Sequence, residues 1–80
     1  MDIEKDLTMY FMEQVGIEVK ADTLLVEENV IDSMGVMELI AYLETNYGIG
    51  LEMDDLVIEN FESIKAIKNL IKLKEDKNES

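Results

Sequence analysis

Apolar residues recur at helical spacing near the start of the chain. In DIEKDLTMYFMEQVG, Ile3, Leu7, Tyr10, Phe11 and Val15 follow at steps of four, three, one and four, which is the period of one helix face. Asp2 is placed to cap this helix and Gly16 to end it. Met9 and Met12 lie off the stripe. A second helix is predicted from Ser33 to Tyr47. There Val36, Leu39, Ile40, Leu43 and Tyr47 share about a third of the wheel at roughly 100° per residue. Gly48 and Gly50 break it. A short third element is expected in DDLVIENF, capped by Asp54 or Asp55, with Leu56, Val57 and Phe61 pointing in. The fourth is ESIKAIKNLIKLK, where Ser63 is the cap and Ile64, Ile67, Leu70 and Ile71 form the stripe.

Residues 17–32, IEVKADTLLVEENVID, carry no sustained period. A connection this long in a small domain has to pack down on its own apolar residues. Leu24, Leu25, Val26, Val30 and Ile31 are the candidates, and Asn29 suits a left-handed turn. Strand alternation is weak throughout. The pattern predicts an all-α fold, a small three-to-four-helix bundle with a long first loop. A single domain is expected over residues 1–75, with a charged tail at 76–80 that frays.

Composition removes several functions. The 80 residues contain no histidine and no cysteine, so the commonest general base, the commonest metal ligand and any disulfide are missing. Nineteen acids against seven lysines give a net charge of −12. Such a chain is repelled by nucleic acid and anionic membranes and is steered toward basic protein surfaces; the same charge also serves simple solubility. No apolar run reaches the ~20 residues of a membrane span. MDIEKD has neither the basic start nor the apolar run of a signal peptide. A cytoplasmic monomer is the expectation.

The second helix has another apolar face. With Val36 at zero on the wheel, Met37, Ala41 and Met34 fall near about 100°, 140° and 160°, away from the core stripe, with Glu38 and Glu44 on the two sides. Methionine adapts to several partners, and an acidic rim steers a basic one. The plainer reading is that Met34 and Met37 fill gaps beneath the long loop. Ser33, at the mouth of this helix, also has two readings. A serine there caps the helix, although Asp32 serves equally well. If Ser33 does chemistry, another protein has to perform it, because no histidine is present to activate it.

Asp32-Ser33-Met34 followed by GVMELIAYLETNYGI resembles the modification site of the acyl and peptidyl carrier proteins, where Asp-Ser-Leu or Asp-Ser-Met opens the second helix. The likeness extends to the first stripe, to LLVEENVIDS and to Phe61-Glu62-Ser63-Ile64, and so covers nearly the whole chain. It implies that a phosphopantetheinyl transferase joins Ser33 to 4′-phosphopantetheine from coenzyme A, with Asp32 as part of the motif. It implies that the chain shuttles acyl or aminoacyl groups as thioesters and is not itself an enzyme. Its partners would be the transferase, an acyl- or aminoacyl-loading ligase and downstream synthase enzymes of fatty-acid, polyketide, nonribosomal-peptide or related biosynthesis. Met34, Met37, Glu38, Ala41 and Glu44 would correspond to the family's recognition helix. Gly35, Thr45 and Asn46 stand where many fatty-acid carriers have acids. Val30-Ile31-Asp32-Ser33-Met34-Gly35 and Glu59-Asn60-Phe61 are similar instead to D-alanyl carrier proteins. The alternative is a helical protein–protein interaction module in which Ser33 is only an N-cap.

Overall fold

The computed structural model describes residues 2–78. Helix α1 spans Ile3–Gln14, α2 Ser33–Tyr47, α3 Ile58–Phe61 and α4 Ile64–Asn78, with a 3-10 turn at Met53–Asp55. There is no strand among the described residues, so the fold is the expected small all-helical bundle. Of the expected tail, positions 76–78 continue α4, and 79 and 80 lie outside the described residues.

Both long N-terminal elements begin and end as their sequence dictates. The Asp2 carboxylate accepts from the Lys5 N–H at 3.1 Å. Gly16, at φ 76°, donates back to the Phe11 and Met12 carbonyls. Gly48 ends α2 at φ 64° and donates to Glu44 O. Ile3, Leu7 and Phe11 of α1 and Leu39 and Leu43 of α2 meet Ile64, Ile67, Leu70 and Ile71 of α4 in one core. Val15, the last member of the first stripe, is exposed. Between α1 and α2, the Tyr42 and Tyr47 hydroxyls both donate to Asp6 Oδ2, at 2.9 and 2.6 Å. Lys68 of α4 reaches Glu4 of α1 at 3.6 Å.

The long first loop packs down as its length requires. Leu25, Val30 and Ile31 are buried, and so is Val19, which has no periodic neighbours to mark it. Leu24 stays exposed and Val26 is half-buried. The Leu25 N–H donates to Glu62 O at 2.8 Å, and the Lys65 N–H donates to Ala21 O at 3.0 Å. These bonds pin the loop to the α3–α4 junction and satisfy an N–H that the first turn of α4 leaves open. Asn29 takes the left-handed conformation at φ 59°. Ser63 caps α4 by accepting from the Ala66 N–H at 3.2 Å.

The third element departs from expectation. Leu56 and Val57 do not point in; both are exposed, and Phe61 alone enters the core from this stretch. The 3-10 turn ends at Leu56, and Val57 is extended before the helix restarts at Ile58. Each break redirects the chain, so no continuous stripe forms. Asp55 does not cap α3: its carboxylate accepts from the Glu52 N–H at 2.9 Å and closes the turn that precedes it.

Candidate functional site

The mouth of α2 is organised by Asp32. Its backbone is extended, and its Oδ1 accepts from the Gly35 N–H at 2.8 Å, the geometry of an N-cap. Ser33 is therefore the first helical residue rather than the cap, and it is exposed. The capping role proposed for Ser33 falls to its neighbour. Gly35 fits this turn closely. A Cβ there would lie 3.1 Å from Ile31 Cβ and 3.4 Å from Asp32 Oδ1. The missing side chain lets buried Ile31 and the capping carboxylate close over the first turn.

An open groove of about 300 Å³ runs beside Ser33. Asp32 and Ser33 contribute to its lining. The other lining residues are Val36, Met37 and Ile40 from α2, Val26 from the first loop, and Leu56 and Ile58 from the second connection. The groove was not legible in the helical stripes. Val36 and Ile40 were expected in the core and are half-buried. Leu56 was expected inside, and Ile58 had no assigned place. The available signal was the apolar run Leu56-Val57-Ile58, which is too long for the one inward position a short helix offers.

The outer face of α2 holds Met34, Met37, Glu38, Ala41 and Glu44 together, all exposed. Met34 is 74 % exposed and Met37 69 %, so neither fills a gap beneath the loop. Glu38 lies on the α1 side, close enough to Tyr10 that, after burial, its charge helps raise that phenol's pKa. Glu44 lies on the opposite side, with the Leu51 N–H donating to it at 3.4 Å. Behind this face, burial, followed by the hydrogen bond to Asp6, pushes the Tyr42 hydroxyl up to about 12. Tyr47 is raised for the same reasons. Both phenols therefore stay protonated and able to donate across the α1–α2 contact at neutral pH.

Residues 5–71 match the family model described as a phosphopantetheine attachment site. Two relatives are similar over most of their length. The acyl carrier protein of Nitratidesulfovibrio vulgaris is 32% identical over 74 residues, covering 86% of this chain and 97% of the relative. The acyl carrier protein of Buchnera aphidicola subsp. Baizongia pistaciae is 32% identical over 74 residues, covering 89% of this chain and 92% of the relative. An all-helical bundle, a family match over most of the chain and relatives aligned almost end to end agree: the chain belongs to the acyl carrier proteins, which carry their cargo on a covalently attached 4′-phosphopantetheine.

Proposed function

We propose that Ser33 is the residue to which 4′-phosphopantetheine is attached. The observation that carries this reading is the division of labour at the helix mouth: Asp32 takes the cap, and the adjacent Ser33 stands exposed. With no histidine in the chain, deprotonating Ser33 falls to the phosphopantetheinyl transferase. The serine oxygen then displaces the nucleotide half of coenzyme A at phosphorus. The residues around Ser33 suit the group. The first turn of α2 has N–H groups and a helix dipole that favour an anion, and an apolar groove lies alongside for an arm and its cargo. The group supplies a thiol that holds the cargo as a thioester. Asp32 orders the turn that presents Ser33, and Val36, Met37, Ile40, Leu56 and Ile58 shelter what is attached.

Met34, Met37 and Ala41, between Glu38 and Glu44, form the face that partner enzymes read. Its apolar strip gives contact, and its acidic margins favour basic surfaces. The partners are the transferase, the loading ligase and the downstream synthases, all meeting the carrier in the cytoplasm. The chain itself is a shuttle, and the partners perform the chemistry. No helix among the described residues is long and apolar enough to cross a membrane.

The test is an intact mass after incubation with coenzyme A and a broad-range transferase. The wild-type chain should gain one phosphopantetheine, and Ser33→Ala should gain none while keeping its helical spectrum. Modification of Ser33→Ala would overturn the assignment.

A further inference from the structure

One wall of the groove beside Ser33 comes from the connection at 52–58, and a buried cation of the far helix pairs with an acid in that connection. Lys74 continues the inward stripe of α4 after Ile67, Leu70 and Ile71 and is only 6 % exposed. An apolar residue would complete the stripe, whereas a buried ammonium is costly unless it is paired. Lys74 Nζ lies 2.5 Å from Asp55 Oδ2. The same oxygen accepts from the Glu52 N–H at 2.9 Å, closing the 3-10 turn. The Asp55 carbonyl accepts from Asn60 Nδ2 at 2.8 Å, tying the turn to α3.

Asp55 is thus the junction of the turn, α3 and α4, and the next residue, Leu56, lines the groove with Ile58. These two side chains are 47 % and 68 % exposed, so apolar burial does little to hold them. A buried charge pair adds little net stability over an apolar pair of the same size, and its best-attested use is to fix geometry.

We propose that Lys74–Asp55 is a positioning latch that holds the 52–58 connection against α4 and so sets how closely the groove shelters the arm and its thioester. This rests on Ser33 being the attachment residue. Neither Lys74 nor Asp55 lines the groove; both act through Leu56 and Ile58. With the pair intact the wall stays against the arm. With it broken the wall moves off and the thioester meets solvent.

The experiment uses the full chain as wild type, Lys74→Met, Asp55→Asn and Lys74→Arg. Each is loaded in one step by a broad-range transferase from hexanoyl-coenzyme A. Loss of the hexanoyl group to hydroxylamine is followed by intact mass, and amide NMR shifts are recorded on the unmodified proteins. Lys74→Met and Asp55→Asn should lose the acyl group roughly fivefold faster, which corresponds to a shift of about 1 kcal/mol toward the open wall. Their Leu56 and Ile58 amides should shift while those of Leu39 and Leu43 stay in place. Lys74→Arg, which keeps the pair, should behave as wild type. Wild-type rates and shifts in both charge-removing variants would overturn the latch, as would an equal defect in Lys74→Arg. If wild type takes up nothing at Ser33, the attachment reading fails instead, and the amide shifts of the unmodified variants still decide the latch.

Discussion

The two connections that flank α2 are built on opposite principles. The first, residues 17–32, is anchored by apolar burial: Val19, Leu25, Val30 and Ile31 lie in the core, and two backbone hydrogen bonds tie it to the α3–α4 junction. The second, between Gly48 and Ile58, buries Ile49 but leaves Met53, Leu56, Val57 and Ile58 exposed and is held at Asp55 by polar contacts. A loop fixed by apolar packing moves only when the core opens, whereas one held by a few polar contacts opens locally. The mouth of α2 thus has a side packed by apolar burial, which presents Ser33, and a side held by polar contacts, which walls the groove. The face of α2 between them stays open to solvent.

The largest test of this contrast is truncation in each connection. Leu25→Ala should cost about 2–5 kcal/mol, as for other buried leucines, and much of the stability of so small a domain. Leu56→Ala should fall within about 0.5 kcal/mol, as for exposed positions. Urea midpoints measure both, and similar losses would erase the distinction.

Alkaline pH should then separate the two regions without mutation. The hydrogen bond to Asp55 raises the Lys74 pKa above its usual 10.5, and burial followed by the Asp6 bond raises Tyr42 from 10.0 to about 12. In each case the folded state holds its proton more tightly than the unfolded state. The contribution to stability is full below the unfolded value and is lost as pH rises through the folded one. Stability should therefore hold to about pH 10 and fall from there toward 12. Tyrosinate absorbance should lag a free-tyrosine control, and amide exchange should quicken first around Leu56. Exchange that quickens first around Leu25 would invert the assignment of the two sides.

A smaller effect is expected at the helix mouth. Asp32→Ala should cost about 1 kcal/mol, the usual value of an N-cap, and Ser33→Ala should be near neutral. Thermal melts by circular dichroism separate them. An equal loss at Ser33 would return the cap to the serine.

The smallest change in stability belongs to the open face. Glu38→Lys and Met37→Ala should leave the melting temperature almost unchanged and differ in kinetics. The charge reversal should slow association with the transferase, most strongly at low salt, because exposed charges act over about 8 Å at physiological ionic strength. Met37→Ala should shorten the lifetime of the complex with little dependence on salt. Stopped-flow binding at two ionic strengths distinguishes them, and an undiminished association rate for Glu38→Lys at low salt would leave the charge of −12 as a solubility feature.

Periodicity by itself determined where the long helices lie and which of their faces turn inward. Leu7, Phe11, Leu39, Leu43, Ile67 and Ile71 are buried as their spacing requires, because a helix face is a local property that one stretch of chain specifies. The caps at Asp2 and Ser63 and the stops at Gly16 and Gly48 were legible for the same reason. The outward methionines of α2 were legible too, as apolar residues at positions the core stripe leaves over. What the sequence left open was settled by contacts between distant segments. Asp32 and Ser33 were both competent caps, and the path of the chain out of buried Ile31 put the carboxylate over the Gly35 N–H. Leu56 and Val57 had the composition of core residues, but past the turn ended by Asp55 both face outward, and Leu56 walls a groove whose other side lies some twenty residues earlier in the chain. Lys74 had the composition of a surface residue, yet its place on the α4 stripe carried it inward to an acid that only the folded chain brings near. A residue's partners across the bundle depend on how whole elements pack, and no local period encodes that.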